Sequence, residues 1–300
     1  MVHANAQGLR GRELDPKAPG AFRIWGLGDS FAFGWGVEEG ETFYHVLERR
    51  LNREGAGRRY EVINAGIPGF GTYEELQLLR VIGLTHDPDL VMVAFYEGND
   101  YRNNGEAPRR RVIVDGYLKD VPPRPPSALA RWITGHSLLA AFVATQVAHV
   151  GDKSALRGQL ETTTRLLGQM KALLDPRHIP LVVIMIPDQD PETYRRPAWL
   201  RAYDSMISGV DQHRARRKIR RFCRRAGVWY SELSRRFEDG QEASGFRLQD
   251  THFNRRGHQA AGEEMAQYLE QAVLPYTTYG PGPTAHRDSL PENSTPRVAK

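Results

Sequence analysis

The sequence predicts an α/β fold of three layers, a parallel sheet with helices on both faces. Three observations carry this reading. Short apolar runs alternate with amphipathic helical patterns. The runs are almost continuously apolar, as strands buried on both faces must be. Polar, glycine-containing clusters follow the runs, where an open parallel sheet places its ligands. With 300 residues, 40% of them apolar and 26% charged, the chain can bury a sizeable core without staples. Its single cysteine, Cys223, excludes an internal disulfide and a cysteine-rich zinc site.

Residues 23–27 (RIWGL) read as the first strand. A helix over 41–51 follows, with Phe43, Val46, Leu47 and Leu51 on one face. Residues 60–67 (YEVINAGI) are a second strand, 73–84 a helix, and 90–95 (LVMVAF) a third strand introduced by Asp87-Pro88-Asp89. The alternation then breaks at 101–150, a longer excursion than strand-to-helix connections need, which reads as a lid or binding insertion. It holds a hairpin over 112–118 turning at Asp115-Gly116, and an apolar helix over 137–150. Beyond it come a helix over 154–174, a strand over 181–186, a basic helix, a weaker strand over 228–233, and a last helix over 255–273. That last helix has Asn254 as its N-cap and Ala261, Met265 and Leu269 inward. The organisation is a lead-in (1–20), one domain (21–273) and a tail (274–300). The tail is rich in Pro, Gly, Ser and Thr without periodicity and reads as disordered.

The net charge is +5, much of it in residues 214–225 (RARRKIRRFCRR). As a helix this run turns Ile219, Phe222, Cys223 and Ala226 to one face and covers the rest with arginine, a solvated basic surface. A polyanion-binding module is the competing reading, and nucleic acid is not an expected partner. No stretch is long and apolar enough to span a bilayer, and MVHANAQGLRGRE is not a signal peptide. The expected compartment is cytoplasmic by default, or extracytoplasmic behind a membrane anchor if the chain is a fragment.

Four polar clusters fall where such a sheet builds a site. Gly28-Asp29-Ser30 follows the first strand, Asn64 to Gly69 ends the second, Gly98-Asn99-Asp100 ends the third, and Asp250-Thr251-His252 precedes the last helix. Each alone is an ordinary turn or cap. Together they hold the parts of a serine nucleophile site. A hydroxyl needs a base to take its proton, and histidine suits this. A carboxylate on the far imidazole nitrogen fixes the tautomer. The oxyanion needs preset donors, each worth roughly 3–4 kcal/mol of barrier. The Ser30 and Gly69 N–H groups and the Asn99 amide are candidates. Asp29 and Asp100 read as loop-holding hydrogen-bond acceptors, and His258 as a residue of the helix rather than a second base.

These four blocks, with the lead-in Gly8-Leu9-Arg10-Gly11-Arg12-Glu13, resemble those of the SGNH or GDSL hydrolases over residues 8–269. The resemblance implies a flavodoxin-like three-layer sandwich with a five-stranded parallel sheet. It also implies a serine esterase without cofactor, and the ten histidines show no His-x-x-x-His or similar spacing that would hold a metal. By it Ser30 is the nucleophile, Gly69 and Asn99 complete the oxyanion hole, and His252 with Asp250 completes the triad. The family's acid usually stands three residues before the histidine, where this chain has Gln249. Asp250, two before, is similar to the Asp-Thr-His of the alginate O-acetyltransferase-like branch, which opens acyl transfer beside hydrolysis.

Competing motifs fail on single residues. The third glycine of a dinucleotide-binding turn is Phe31, a Walker lysine is absent, and Ala32 breaks the Gly-x-Ser-x-Gly elbow of α/β-hydrolases. The expected substrate is a small-molecule or glycan ester, an O-acylated carbohydrate by family analogy. Tyr101, Tyr117 and Trp132 would offer faces to sugar rings, and Arg102 with Arg109-Arg110-Arg111 would meet anionic substituents. A non-catalytic carbohydrate-binding module is the alternative from another class.

Overall fold

The computed structural model describes residues 3–54, 58–98, 100–104, 110–114, 117–121, 153–188, 212–237, 245–248 and 250–277. Among these, the strands are β1 (Phe22–Gly28), β2 (Tyr60–Gly66), β3 (Leu90–Tyr96), β4 (Arg110–Val114), β5 (Tyr117–Val121), β6 (Leu181–Ile186) and β7 (Trp229–Glu232). The helices are α1 (Ser30–Phe33), α2 (Phe43–Glu54), α3 (Thr72–Val81), α4 (Asp100–Asn103), α5 (Lys153–Leu174), α6 (Gln212–Ala226), α7 (Arg255–Tyr268) and α8 (Leu274–Thr277).

Five strands form one sheet in the order β2-β1-β3-β6-β7, every pair parallel. This is the flavodoxin-like order expected of the chain. Period-two alternation divides the core. Ile24, Val62, Met92 and Ile184 pack with α2 and α7 on one face. Trp25, Ile63, Val93 and Val183 pack with α3, α5 and α6 on the other. With both faces covered, every residue of β1, β3 and β6 is buried, which is why these strands read as unbroken apolar runs.

The register sets up the site. Gly28 at the end of β1 lies opposite Gly66 of β2 and Ala94 of β3, so three strands end along one edge. Successive connections leave β1 in opposite directions there, which opens the crevice at a topological switch point. Gly66 matters by size: a Cβ on it would stand 2.4 Å from the Phe33 amide nitrogen and 2.5 Å from the Ala32 Cβ. Only a glycine lets α1 lie against the end of β2.

Several boundaries differ from the sequence expectation. The chain stays helical to Thr277, so the tail does not begin at 274. A π-helical stretch over Leu269–Val273 keeps Leu269 and Val273 buried, and Leu274 packs on the same core. The lead-in joins the domain: Leu9 is buried, and buried Arg10 donates to the Phe33, Gly34 and Val37 carbonyls. β4 and β5 form the expected hairpin, pairing Arg110 with Val121 and Val114 with Tyr117. Its turn at 115–116 and the helix expected over 137–150 lie outside the described residues, as does the tail beyond 277.

The basic helix is α6, with Ile219 and Cys223 buried. Its arginines are not all solvated, however. Arg216 reaches inward to Glu97, which is 1% exposed at the end of β3, and Arg220 pairs with Glu232. Burial raises the Glu97 pKa, and the Arg216 hydrogen bond and charge oppose the rise. Part of the arginine run thus anchors the sheet edge beside the Gly98 turn. No helix among the described residues is long and apolar enough to cross a membrane.

Candidate active site

Ser30 opens α1 directly after β1. Asp29 caps this single turn, its Oδ1 accepting from the Phe31 N–H at 2.8 Å, and Gly34 ends it at φ 82°. Asn64 of β2 braces the turn from the side, donating to the Ala32 carbonyl at 2.8 Å while its Oδ1 accepts from the Gly66 N–H. The nucleophile candidate is thus held by β1, β2 and the lead-in arginine.

His252 comes to Ser30 from the far end of the chain. Its Nε2 lies 2.8 Å from Ser30 Oγ. The Phe31 ring supports the imidazole at 5.0 Å between centroids. Asp250 Oδ2 stands 3.2 Å from His252 Nδ1, yet the ring N–H is not aligned on it, so Nδ1 makes no hydrogen bond here. The Asp250 carboxylate is half exposed and accepts instead from the His252 backbone N–H at 3.3 Å. Such looseness is common before substrate binds, because an imidazolium attracts the carboxylate more strongly than a neutral ring does. Gln249, at the family's usual acid position, lies outside the described residues.

The loop carrying these two residues is a tight hairpin. Arg247 and Phe253 form a bridge, Leu248 N–H donates to the His252 carbonyl at 2.7 Å, and Thr251 N–H to the Leu248 carbonyl at 3.1 Å. Thr251 sits at φ 74°, the left-handed slot that glycine normally fills in such loops. For a β-branched residue this conformation costs about 1–3 kcal/mol.

Gly69 lies in a turn after β2, at φ 78°, with Pro68 before it and Phe70 N–H closing onto the Ile67 carbonyl at 3.1 Å. That is a type II turn, which requires a positive φ at its third residue. Asn99 lies outside the described residues, between Gly98 and Asp100 at the end of β3. Asp100 holds this turn, its Oδ2 accepting from the Tyr96 N–H at 2.7 Å.

Three buried carboxyls lie behind the turns: Asp29, Glu75 and Asp100, each 0% exposed. Burial, and then the Asp29 charge, push Glu75 and Asp100 well above the usual carboxylate range. His258 is also fully buried, in α7. Its Nδ1 accepts from the Phe43 N–H at 3.2 Å, and burial, with the Arg10 and His252 charges, pushes its pKa down to about 3. It stays neutral in the helix, away from Ser30.

The expected sugar platform is corrected in one place. Tyr101 is 0% exposed, packed with Leu160 and Leu167 in the core, because α4 turns it under the site. It has no face to offer a ligand. Of Arg102 and the residues of β4 and β5 only the backbone is described, and Trp132 and Arg109 lie outside the described residues. Sequence reasoning also passes over Trp35, which is 49% exposed with its ring 6.3 Å from that of His252. It overlooks Arg247, Tyr96 and Asp188 as well, and names Arg10 only as part of the lead-in. Nothing local distinguishes a buried arginine such as Arg247 from the surface arginines around it.

Ser30 and His252 thus meet at the switch point of a doubly covered parallel sheet. The GDSL-like lipase/acylhydrolase family model matches residues 27–260, and the chain belongs to that family. It is an ester hydrolase. Solved structures of similar fold include the acetyl xylan esterase AlAXEase, at 13% identity and a TM-score of 0.50, covering 83% of this chain and 100% of that one. The psychrotrophic esterase EstA from Pseudoalteromonas sp. gives 12% and 0.49 over 84% and 98%. The lipase/acylhydrolase from Enterococcus faecalis gives 16% and 0.47 over 83% and 95%. Among curated protein sequences, none matches this chain.

Proposed function

We propose that this esterase works through an acyl-Ser30 intermediate and that its alcohol is a carbohydrate. The observation that carries the mechanism is the 2.8 Å approach of His252 Nε2 to Ser30 Oγ. Nε2 takes the hydroxyl proton as Oγ attacks the ester carbonyl. The oxyanion forms against the Ser30 and Gly69 N–H groups and the Asn99 amide. As the tetrahedral species collapses, the proton passes from His252 to the leaving alkoxide. Water, activated by the same nitrogen, then releases the acid from Ser30. Asp250 swings into line with Nδ1–H when the ring becomes charged.

His252 protonates the leaving oxygen, so the alcohol sits on the histidine side of Ser30. Trp35 stands there, half exposed, its backbone N–H donating to the Ser30 carbonyl at 3.1 Å. An indole offers a flat apolar face with a polar edge, which suits a sugar ring better than a flexible alkyl chain. The Asp-Thr-His spacing keeps a second reading, transfer of the acyl group to a sugar hydroxyl.

The test is turnover of p-nitrophenyl esters of increasing acyl length, then of an acetylated glycan with and without an unacylated acceptor. Ser30→Ala should abolish turnover and fluorophosphonate labelling with the fold intact. Label on another residue of an active enzyme would sink the nucleophile. Indifference to acetylated glycans would sink the alcohol. Acetyl appearing on the acceptor faster than acetate in solution would favour transfer.

A further inference from the structure

Thr251 occupies a backbone conformation that its side chain disfavours, between the two residues that complete the triad. Such strain persists only where the surroundings over-determine it. Here they do. Buried Arg247 donates from Nη1 to the Thr251 carbonyl at 2.8 Å and from Nη2 to the Pro187 carbonyl at 2.9 Å, just past β6. Its guanidinium lies over the Phe31 ring at 5.7 Å and the Phe253 ring at 5.0 Å. Tyr96, at the end of β3, donates its hydroxyl to Asp188 at 2.7 Å, directly after Pro187, whose carbonyl Arg247 holds. The Tyr96 ring also packs on Phe31 at 4.2 Å, the ring that supports His252.

We infer that Arg247 and the Tyr96 hydroxyl are positioning groups for the base, holding Thr251 in the left-handed conformation from which His252 reaches Ser30. The inference rests on the Ser30–His252 reading. Two strand ends converge on Thr251 through Arg247, β6 by way of Pro187 and β3 by the Tyr96 bond that fixes the adjoining Asp188. The bidentate reach of Arg247 spans two carbonyls on different elements, which a lysine ammonium on its single point cannot do. Without these holds, a threonine relaxes to negative φ, the hairpin changes shape, and Nε2 leaves Oγ.

The test is the rate constant for phosphonylation of Ser30 by an alkyl fluorophosphonate, which needs no knowledge of the natural ester. Tyr96→Phe keeps the ring on Phe31 and removes only the hydroxyl. It should slow labelling about ten- to a hundred-fold, while labelling still goes to completion and the urea midpoint shifts little. Arg247→Lys should slow it likewise, and if that variant does not fold, the Tyr96 series decides. Adding Thr251→Gly to Tyr96→Phe should restore most of the rate, because glycine takes a positive φ without cost. A merely structural role for the phenol predicts no such rescue. Parental labelling in Tyr96→Phe, or slow labelling that Thr251→Gly leaves unchanged, overturns the inference. His252→Ala separates the two readings. If it labels at the parental rate the triad itself is wrong, whereas slow labelling beside a parental Tyr96→Phe removes only the positioning role.

Discussion

Replacing His258 by asparagine removes an imidazole that the fold holds neutral, and the consequence for acid stability can be worked out. The ring's Nδ1 faces the Phe43 N–H, so a proton there would set two donors against each other in a dry site. Burial, Arg10 and His252 act in the same direction, and the pKa falls from 6.5 to about 3. The sign follows from linkage. Below pH 6.5 the unfolded chain binds a proton that the folded chain refuses, so stability present above 6.5 is lost as pH falls towards 3. Each pH unit in that window costs about 1.4 kcal/mol, or roughly 3 kcal/mol by about pH 4. This is a large part of a total of about 5–15 kcal/mol. Asparagine keeps an acceptor for the Phe43 N–H but loses ring contacts with Phe43 and Phe253 at 5.4 and 5.8 Å. His258→Asn is therefore less stable near neutrality, and the readout is the slope. Urea unfolding between about pH 4 and pH 7 should show the parent losing roughly 3 kcal/mol more than the variant. Parallel curves would refute the argument.

Three further outcomes are expected. Asp250→Asn should lower kcat by roughly ten- to a thousand-fold, less than the roughly ten-thousand-fold known for a buried, aligned triad aspartate. A silent substitution in ester hydrolysis would move the acid role elsewhere. Glu75→Gln should gain stability over the parent as pH rises. A carboxyl whose pKa burial raises loses its contribution as pH climbs past its usual 4.5, at up to about 1.4 kcal/mol per pH unit, and paired unfolding curves at acid and alkaline pH would measure it. Gly66→Ala forces a Cβ onto the Phe33 backbone, so Ser30 labelling should slow about ten-fold or more while circular dichroism changes little. An unchanged rate would mean that α1 yields without disturbing Ser30.

The order of the elements and the strand ends where the candidate site lies were legible in the sequence because they rest on local physics. Buried parallel strands must be continuously apolar, and each leaves a polar turn at its carboxyl end. The LVMVAF and LVVIMI runs and the turns after Gly28, Asn64 and Gly98 therefore report directly on sheet and crevice. Asn254 likewise caps α7 by a bond three residues away, its Oδ1 to the Gly257 N–H at 3.0 Å. Tyr101 shows the limit of such reasoning. Its sequence neighbours place it beside the Gly98-Asn99-Asp100 cluster, yet the direction of α4 buries it, and no local pattern encodes that direction.

What the sequence by itself determined was the α/β class, the strand order through its family resemblance, and the chemical types gathered at the sheet edge. Only the tertiary structure decided how they are held. The Ser30–His252 contact joins residues 222 apart, the Arg247 hold joins its own hairpin to the end of β6, and Glu97 meets Arg216 across the sheet edge. The reason is range. Strand periodicity and turn chemistry act over a few residues, whereas whether a charge is buried or a base is aligned depends on neighbours brought together from across the whole chain.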